Sequence, residues 1–405
     1  MTRQPAANAA PHAGTAGEVF RAFLRLGLTS FGGPIAHLGY FRNELVLRRG
    51  WVDDRRYAEI VALAQFLPGP ASSQVGFALG LMRAGPLGAI MAWLAFTLPS
   101  AILMVAFAYG AALLDNHVGE GVLAGLKIVA VAIVAQAVWG MAQTLTPDAR
   151  RASIAAVAVV IAVLTAGPLG QVAAIALGAL AGLWLCRDTG HDDAGDLGVP
   201  VSRRAGAIAL GMFAALLVAL PLSAAATGSR LVDLADGFYR AGALVFGGGH
   251  VVLPLLQAET VTAGWVTPEQ FLAGYGAAQA VPGPLFTFAA YLGALAAPGA
   301  AGLLTAAVAL VAVFVPGLLL MVGVLPFWQA VRTGPAARAL VRGANAAVVG
   351  VLAAALYDPV FVTAITGPAS FALAVVCFVL LVAWRVPAWA VVLAGASGGI
   401  LITLM

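Results

Sequence analysis

Along this chain apolar positions run together rather than alternate. Unbroken stretches cover 151–166, 170–186, 205–226, 300–325 and 388–405. Membrane barrel strands alternate in segments of about ten residues, so the pattern predicts transmembrane α-helices. Further spans are expected at about 85–113, 117–143, 338–357 and 370–384. Crossing about 30 Å of hydrocarbon takes about 20 apolar residues. Several of the runs are shorter, which predicts tilting or partial insertion. Two kinds of segment are different: 18–48 and 230–258 are moderately amphipathic, and the apolar stretches 57–82 and 269–296 are each interrupted by proline near the middle.

These segments recur because the sequence repeats. FLRLGLTSFGG (23–33) aligns with FYRAGALVFGG (238–248), matching Arg25 with Arg240 and Phe31-Gly32-Gly33 with Phe246-Gly247-Gly248. Glu44 then aligns with Glu259, Gly50-Trp51-Val52 with Gly264-Trp265-Val266, and AQFLPGP (64–70) with AQAVPGP (278–284). Fainter echoes pair Phe96 and Pro99 with Phe314 and Pro316, and Lys127 with Arg342. So many matches in one order indicate a duplication. The reading is a first repeat at 18–186, a polar linker at 187–204, an extra helix at 205–226 and a second repeat at 230–405.

Charge orients the halves. The loop 42–56 holds five arginines, and Arg83 follows the first proline-broken hairpin, whereas 259–270 and 297–300 hold no Lys or Arg. In the second half Arg332, Arg338 and Arg342 carry the charge. Cytoplasmic loops are enriched in Lys and Arg, so equivalent loops fall on opposite faces if the two broken hairpins are re-entrant. The unpaired span 205–226 supplies the odd crossing. The expected fold is an all-α integral membrane protein, a polytopic helical bundle of two homologous, inverted repeats with Pro/Gly-broken helices, as in secondary transporters.

Composition supports that class. Of 405 residues, 62% are hydrophobic and 9% charged, against about 25% charged in soluble domains. This excludes an ordinary soluble enzyme, a nucleic-acid binder and a disordered chain. Residues 1–17 lack an apolar core, so no cleaved signal peptide is expected. Cys186 and Cys377 have no metal-ligand spacing and read as small buried hydrophobes. His191 beside Asp192 and Asp193 could hold a metal, though a solvated linker is the simpler account. No metal or cofactor is expected. No Walker A motif, HExxH, CxxC or catalytic triad is present, which favours a gradient-driven carrier over a pump or an enzyme.

The candidate chemistry lies in the breaks. Proline removes a donor and glycine permits positive φ, so Pro68-Gly69-Pro70 and Pro282-Gly283-Pro284 must interrupt their helices. New half-helices would begin at Ala71-Ser72-Ser73 and Leu285-Phe286-Thr287. Broken backbone at membrane depth needs protein or a water-filled cavity around it, and a helix N-terminus favours an anion. Gly32, Gly33, Gly247 and Gly248 form a second pair of breaks, suited either to close ligand approach or to helix packing. Arg25, Arg240, Lys127 and Arg342 are costly at membrane depth. They either neutralise a doubly charged anion or snorkel to headgroups. Glu44 and Glu259 carry protons or pair with arginine. Gln65 and Gln279 bond freed backbone or a bound oxyanion. His37 and His250 are candidates for pH sensing, and Trp51 and Trp265 for interface anchors.

With FGGPIAHLGYFRNE (31–44), FGGGHVVLP (246–254), two GWV triplets and two PGP elements, the chain resembles the chromate ion transporter family in its long, two-domain form, over about 18–405. The resemblance implies a bacterial inner-membrane carrier that exports chromate and confers chromate resistance, with sulfate as competitor or alternative substrate. The family motifs fall on Phe31, Gly32, Gly33, Pro34, Gln65, Pro68, Gly69, Pro70, Phe246, Gly247, Gly248, Gly249, Gln279, Pro282, Gly283 and Pro284. Pro34 facing Gly249, and Ser72-Ser73 facing Phe286-Thr287, break strict symmetry. The expected partners are a chromate- or sulfate-like oxyanion and the lipid bilayer, with a homodimer left open and no nucleic acid. A membrane enzyme acting on a lipid phosphate is the alternative from another class.

Overall fold

The computed structural model describes residues 14–111, 116–165, 167–187 and 201–405, so the linker residues His191, Asp192 and Asp193 lie outside the described residues. Among the described residues the regular structure is helical, and six helices are long and apolar enough to cross a membrane.

The chain opens with two short helices, α1 (Ala16–Thr29) and α2 (Gly33–Phe41), the second running into a π-helical turn at Arg42–Arg48. Thr15 caps α1, and the apolar stripe Val19, Ala22, Phe23 and Leu26 is buried. Gly27 lets α1 lie against the backbone of Phe96, where an added Cβ would meet Phe96 O at 2.8 Å. Next come α3 (Asp54–Phe66) and α4 (Ala71–Ala111), separated by the Pro-Gly-Pro element. Helix α4 folds back on itself at Ala84–Gly85, where both residues leave helical φ/ψ. The backbones of Gly80 and Gly88 touch across this bend.

Where these pieces begin and end fixes their direction. Arg83, at the end of the first limb of α4, pairs with Glu18 in the first turn of α1 at 3.1 Å. Glu18 also accepts from Trp51 Nε1, and Arg42 pairs with Asp54 at the start of α3. The segments 16–48 and 54–83 therefore each enter from one end of the molecule and return to it. Only the second limb of α4 crosses to the far end, where the Tyr109 hydroxyl donates to Gly299 O.

The chain then crosses back and forth through α5 (His117–Leu145), α6 (Ala149–Leu164), α7 (Pro168–Leu185) and α8 (Arg203–Thr227). The second half repeats the plan from the far end: α9 (Arg230–Ala243) with α10 (Val252–Thr260), then α11 (Pro268–Ala278) with α12 (Phe288–Leu295). The Tyr291 hydroxyl donates to Gln270 O, so α12 returns along α11 to its starting side. Helix α13 (Ala301–Val324) crosses back, ending near α14 (Trp328–Thr333), whose Arg332 and Trp328 both bond Glu59 of α3. Helix α15 (Pro335–Ala355), a short α16 (Val362–Ala364), α17 (Pro368–Val382) and α18 (Ala388–Leu404) complete the chain. The halves are inverted, and α8, packed through Gly206 against Pro326, is the crossing that inverts them.

The plain helices associate through small residues, as membrane helices do when no hydrophobic force separates protein from lipid. Gly178 and Gly182 of α7 lie on Gly343 and Ala347 of α15, and Gly121 and Gly125 of α5 lie on Gly395 and Gly399 of α18. Trp51, expected as an interface anchor, is instead 7% exposed, beneath the guanidinium groups of Arg49 and Arg83.

Candidate functional site

The four helix breaks meet inside the molecule and bond reciprocally. Gly69 N–H donates to Val245 O at 2.7 Å, and Gly283 N–H donates to Ser30 O at 2.9 Å. Ser30 and Val245 are equivalent positions, each just before Phe-Gly-Gly. Each Pro-Gly-Pro apex is thus tied to the Phe-Gly-Gly break of the other half. Gly69 (φ +121°) packs on Gly317, and Gly283 (φ +103°) on Ser100, each one residue past a mid-helix proline of the other half. Pro34 and Gly249, which break the repeat's symmetry, face each other: a Cβ on Gly249 would lie 3.4 Å from Pro34 Cγ.

The two kinds of break differ in what they face. Side chains added at Gly33 or Gly248 would meet nothing within 4 Å, and no side chain caps α2 or the turn after Gly248. The first N–H groups of a helix have no intrahelical partner, and no side chain takes them up here. Gly69 and Gly283 themselves are packed, and their N–H groups are consumed. The sequence-derived expectation that these two glycines donate to an anion is corrected on that ground. Ser72, in the first turn of α4, lies 3.3 Å from Nδ1 of His37. His37 is 1% exposed, and its Nε2 has no hydrogen-bond partner among the described residues. The same holds for Ser30 Oγ, Ser73 Oγ, Thr97 Oγ1 and Gln279 Nε2. These atoms make the region around the helix breaks the candidate for a polar ligand.

The cations do not gather at this centre. Arg240 holds Glu259 in a fork, Nε–Oε1 3.0 Å and Nη2–Oε2 2.9 Å, and Asp236 adds a third bond at 3.1 Å. Glu259 and Arg240 are therefore an ion pair in this state. Arg25 is exposed and lines a hollow of about 340 Å³ with Thr29, Tyr40, Asn43, Glu44 and Arg48, while Glu44 itself pairs with Arg48 and Arg49. Lys127 lines a hollow at the far end beside Glu120 and Glu269, and Arg342 another at the arginine-rich end. The four cations weighed either as neutralising a dianion or as snorkelling to headgroups are thus spread over both ends, because each side chain follows its own helix face. Gln65 is exposed, unlike its counterpart Gln279. His250 Nδ1 lies 2.7 Å from the Tyr275 hydroxyl.

Comparison with known proteins agrees with this architecture. The sequence profile described as chromate transporter matches residues 17–183 and 232–400, one match per half. The chain belongs to the chromate transporter family. A chromate transport protein of Pseudomonas aeruginosa is 30% identical over 352 residues, covering 86% of this chain and 82% of its own. A probable chromate transport protein of Synechococcus elongatus is 32% identical, covering 84% and 83%. An uncharacterized transporter of Methanocaldococcus jannaschii is 22% identical over 78% and 77%. No solved structure matches the chain.

In this transporter two buried amides outside the repeated motifs lie beside the breaks. Gln74 is fully buried, and its Nε2 donates to Pro68 O at 3.0 Å and to Gly317 O at 2.9 Å, joining the two halves beneath one apex. Asn345 Oδ1, buried without a partner, lies 3.5 Å from the Cβ position of Gly247. A lone amide in an apolar helix was the available signal for both.

Proposed function

We propose that the protein is a gradient-driven carrier that exports chromate across the bacterial inner membrane and so confers chromate resistance. Supporting this are the family and, above all, one observation: the helix breaks of the two halves meet inside the molecule, and around them the buried polar atoms His37 Nε2, Ser30 Oγ, Ser73 Oγ, Thr97 Oγ1 and Gln279 Nε2 have no partner among the described residues. Oriented N–H groups at helix starts suit a tetrahedral dianion. The binding set we assign is the backbone at Gly32–Gly33 and Gly247–Gly248, together with His37, Ser72, Ser73 and Gln279. Arg25, in its hollow at the arginine-rich end, would draw the anion in.

That end carries Arg48, Arg49, Arg55, Arg56, Arg83, Arg203 and Arg332, and we assign it to the cytoplasm. Moving a dianion outward from a negative-inside cell is downhill by about 2.3 kcal/mol per charge per 100 mV, so export needs no second ion. The transport chemistry requires no covalent step, and we assign the chain no catalytic activity. Sulfate, with the same shape and charge, would compete.

The decisive test is labelled chromate flux into everted vesicles, with sulfate as competitor. Wild type should accumulate chromate, and sulfate should slow it. His37→Ala should reduce uptake by roughly 10- to 100-fold, the loss of one hydrogen bond to a charged ligand. Absence of flux for either anion, with the protein inserted and folded, would overturn the assignment.

A further inference from the structure

Glu59 fastens the inverted halves together at the arginine-rich end. It lies on α3, the helix that leads to Pro68. Both of its carboxylate oxygens accept from Arg332 Nη1, with Oε2 at 2.6 Å, and Oε2 also accepts from Trp328 Nε1 at 3.2 Å. Both donors belong to α14, in the second half. The Glu59 and Arg332 side chains are 13% and 19% exposed, so salt screens the pair far less than it would a surface bridge. The Trp328 ring is buried edge-to-face against Phe66 of α3, with 5.6 Å between centroids.

This clasp closes a seam. At the centre Gly69, just past α3, packs on Gly317 of α13. Beyond Gly317, Leu320, Met321 and Val324 are buried in one cluster with Ile60, Leu63 and Leu67 of the first half. The clasp is the charged rim of that apolar seam. The repeat does not reproduce it at the other end: by the alignment of the Gly-Trp-Val and Pro-Gly-Pro elements the equivalent of Glu59 is Ala273, which lines a hollow of about 340 Å³. Carriers built from inverted repeats expose a fixed central site by moving one repeat against the other. An apolar seam slides by degrees, but bonds to a carboxylate are lost over a small change of distance and angle, so the rim has two states, fastened and parted. We infer, on the carrier reading and with the arginine-rich end cytoplasmic, that Glu59, Trp328 and Arg332 form the cytoplasmic gate, closed in this structure and opened when α14 and α3 part to admit the anion.

Cysteine labelling reads the gate without reading flux. In the full chain carrying Cys186→Ala and Cys377→Ala, Leu320→Cys places a single thiol on the seam between clasp and centre. Everted vesicles present the cytoplasmic face to a membrane-impermeant maleimide. With the clasp intact the thiol should react slowly. Glu59→Gln and Arg332→Gln should each speed it about tenfold, the population shift from losing one partly buried ion pair. Trp328→Phe, which removes the N–H and keeps a ring, should speed it about threefold. Combining Glu59→Arg with Arg332→Glu should bring the rate below that of either single reversal. Glu18→Gln, which breaks a pair inside the first half at the same end, should leave the rate within about twofold of its starting value. Labelling unchanged by Glu59→Gln overturns the gate, as does equal acceleration by Glu18→Gln or a reversed pair no slower than its singles. Should Glu59→Gln fail to fold, Trp328→Phe alone still has to show its threefold gain. Absent chromate flux in wild-type vesicles counts against the export assignment, whereas the labelling ratios alone decide the clasp.

Discussion

Gly283→Ala is the sharpest test of the interlocked apices. At φ +103° an alanine is strained, and nonglycine residues in such regions cost about 1–3 kcal/mol. The added methyl would lie 2.8 Å from Ser100 Oγ, 3.2 Å from Ser100 Cβ and 3.3 Å from Phe96 O. Turning the hydroxyl away gives up its bond to Thr97 O, and the Phe96 carbonyl is backbone that cannot turn. Overpacking of this kind costs about 1–3 kcal/mol, so the total is about 2–6 kcal/mol. Gly264→Ala supplies the control. Its φ is also positive, at +71°, but an added Cβ meets nothing within 4 Å, so only the backbone cost of about 1–2 kcal/mol applies. Denaturant titration in mixed micelles would measure both, alongside chromate flux. Adding Ser100→Gly to Gly283→Ala should show a favourable coupling of about 1–2 kcal/mol in a double-mutant cycle. Equal destabilisation by Gly283→Ala and Gly264→Ala, or zero coupling with Ser100, would refute the reciprocal packing.

Other expectations follow from the same geometry. Gln74→Leu should destabilise by about 2–4 kcal/mol, because two buried carbonyls, Pro68 and Gly317, lose their donor; a denaturant midpoint within error of wild type would contradict this. Glu259→Gln should cost about 2–3 kcal/mol, less than a fully buried pair since Arg240 is one-third exposed and keeps Asp236, whereas Glu44→Gln should cost under about 1 kcal/mol because Arg48 and Arg49 are solvated. Comparing the two unfolding curves checks the order. Reporters fused after residue 51 and after residue 265 should read on opposite faces of the membrane, and the same face for both would exclude inversion. Hydrogen bonds from Arg42 hold the exposed Asp54 carboxyl below its ordinary value. This contribution is therefore complete above the unfolded carboxylate pKa of about 3.9 and lost as the pH falls through the lower folded value. Asp54→Asn should lower stability slightly at neutral pH, and the difference from wild type should vanish as the pH falls through the folded value; equal loss at every pH would contradict this.

What could be read from the sequence was whatever lies within one half. Matching Phe-Gly-Gly and Pro-Gly-Pro elements gave the breaks, and the placing of arginines around 42–56 and 332–342 gave the opposed faces, because both depend on local spacing. Contacts between halves left no such trace. Nothing in the spacing says that Gly69 seeks the carbonyl of Val245, or that Gln74 reaches Gly317. The cations were misplaced for a related reason. Arg25 and Arg240 align in the repeat, yet the fork to Glu259 depends on helix rotation and on Asp236, whose matching position in the first half is Arg21. The charge at that position is reversed, so one arginine is held and its twin is left in a hollow.

The reciprocal bonds have a consequence for how such a chain could arise. A half expressed alone would present a Pro-Gly-Pro apex whose N–H finds its carbonyl only on a second half lying the other way up. A free-standing half would therefore be stable only as an antiparallel pair, formed by one polypeptide inserting in both orientations or by two polypeptides with opposite charge bias. Joining two copies head to tail would place them in the same orientation and leave the apices unmatched. The helix Arg203–Thr227 resolves that, so its insertion is the event that makes a single continuous gene workable.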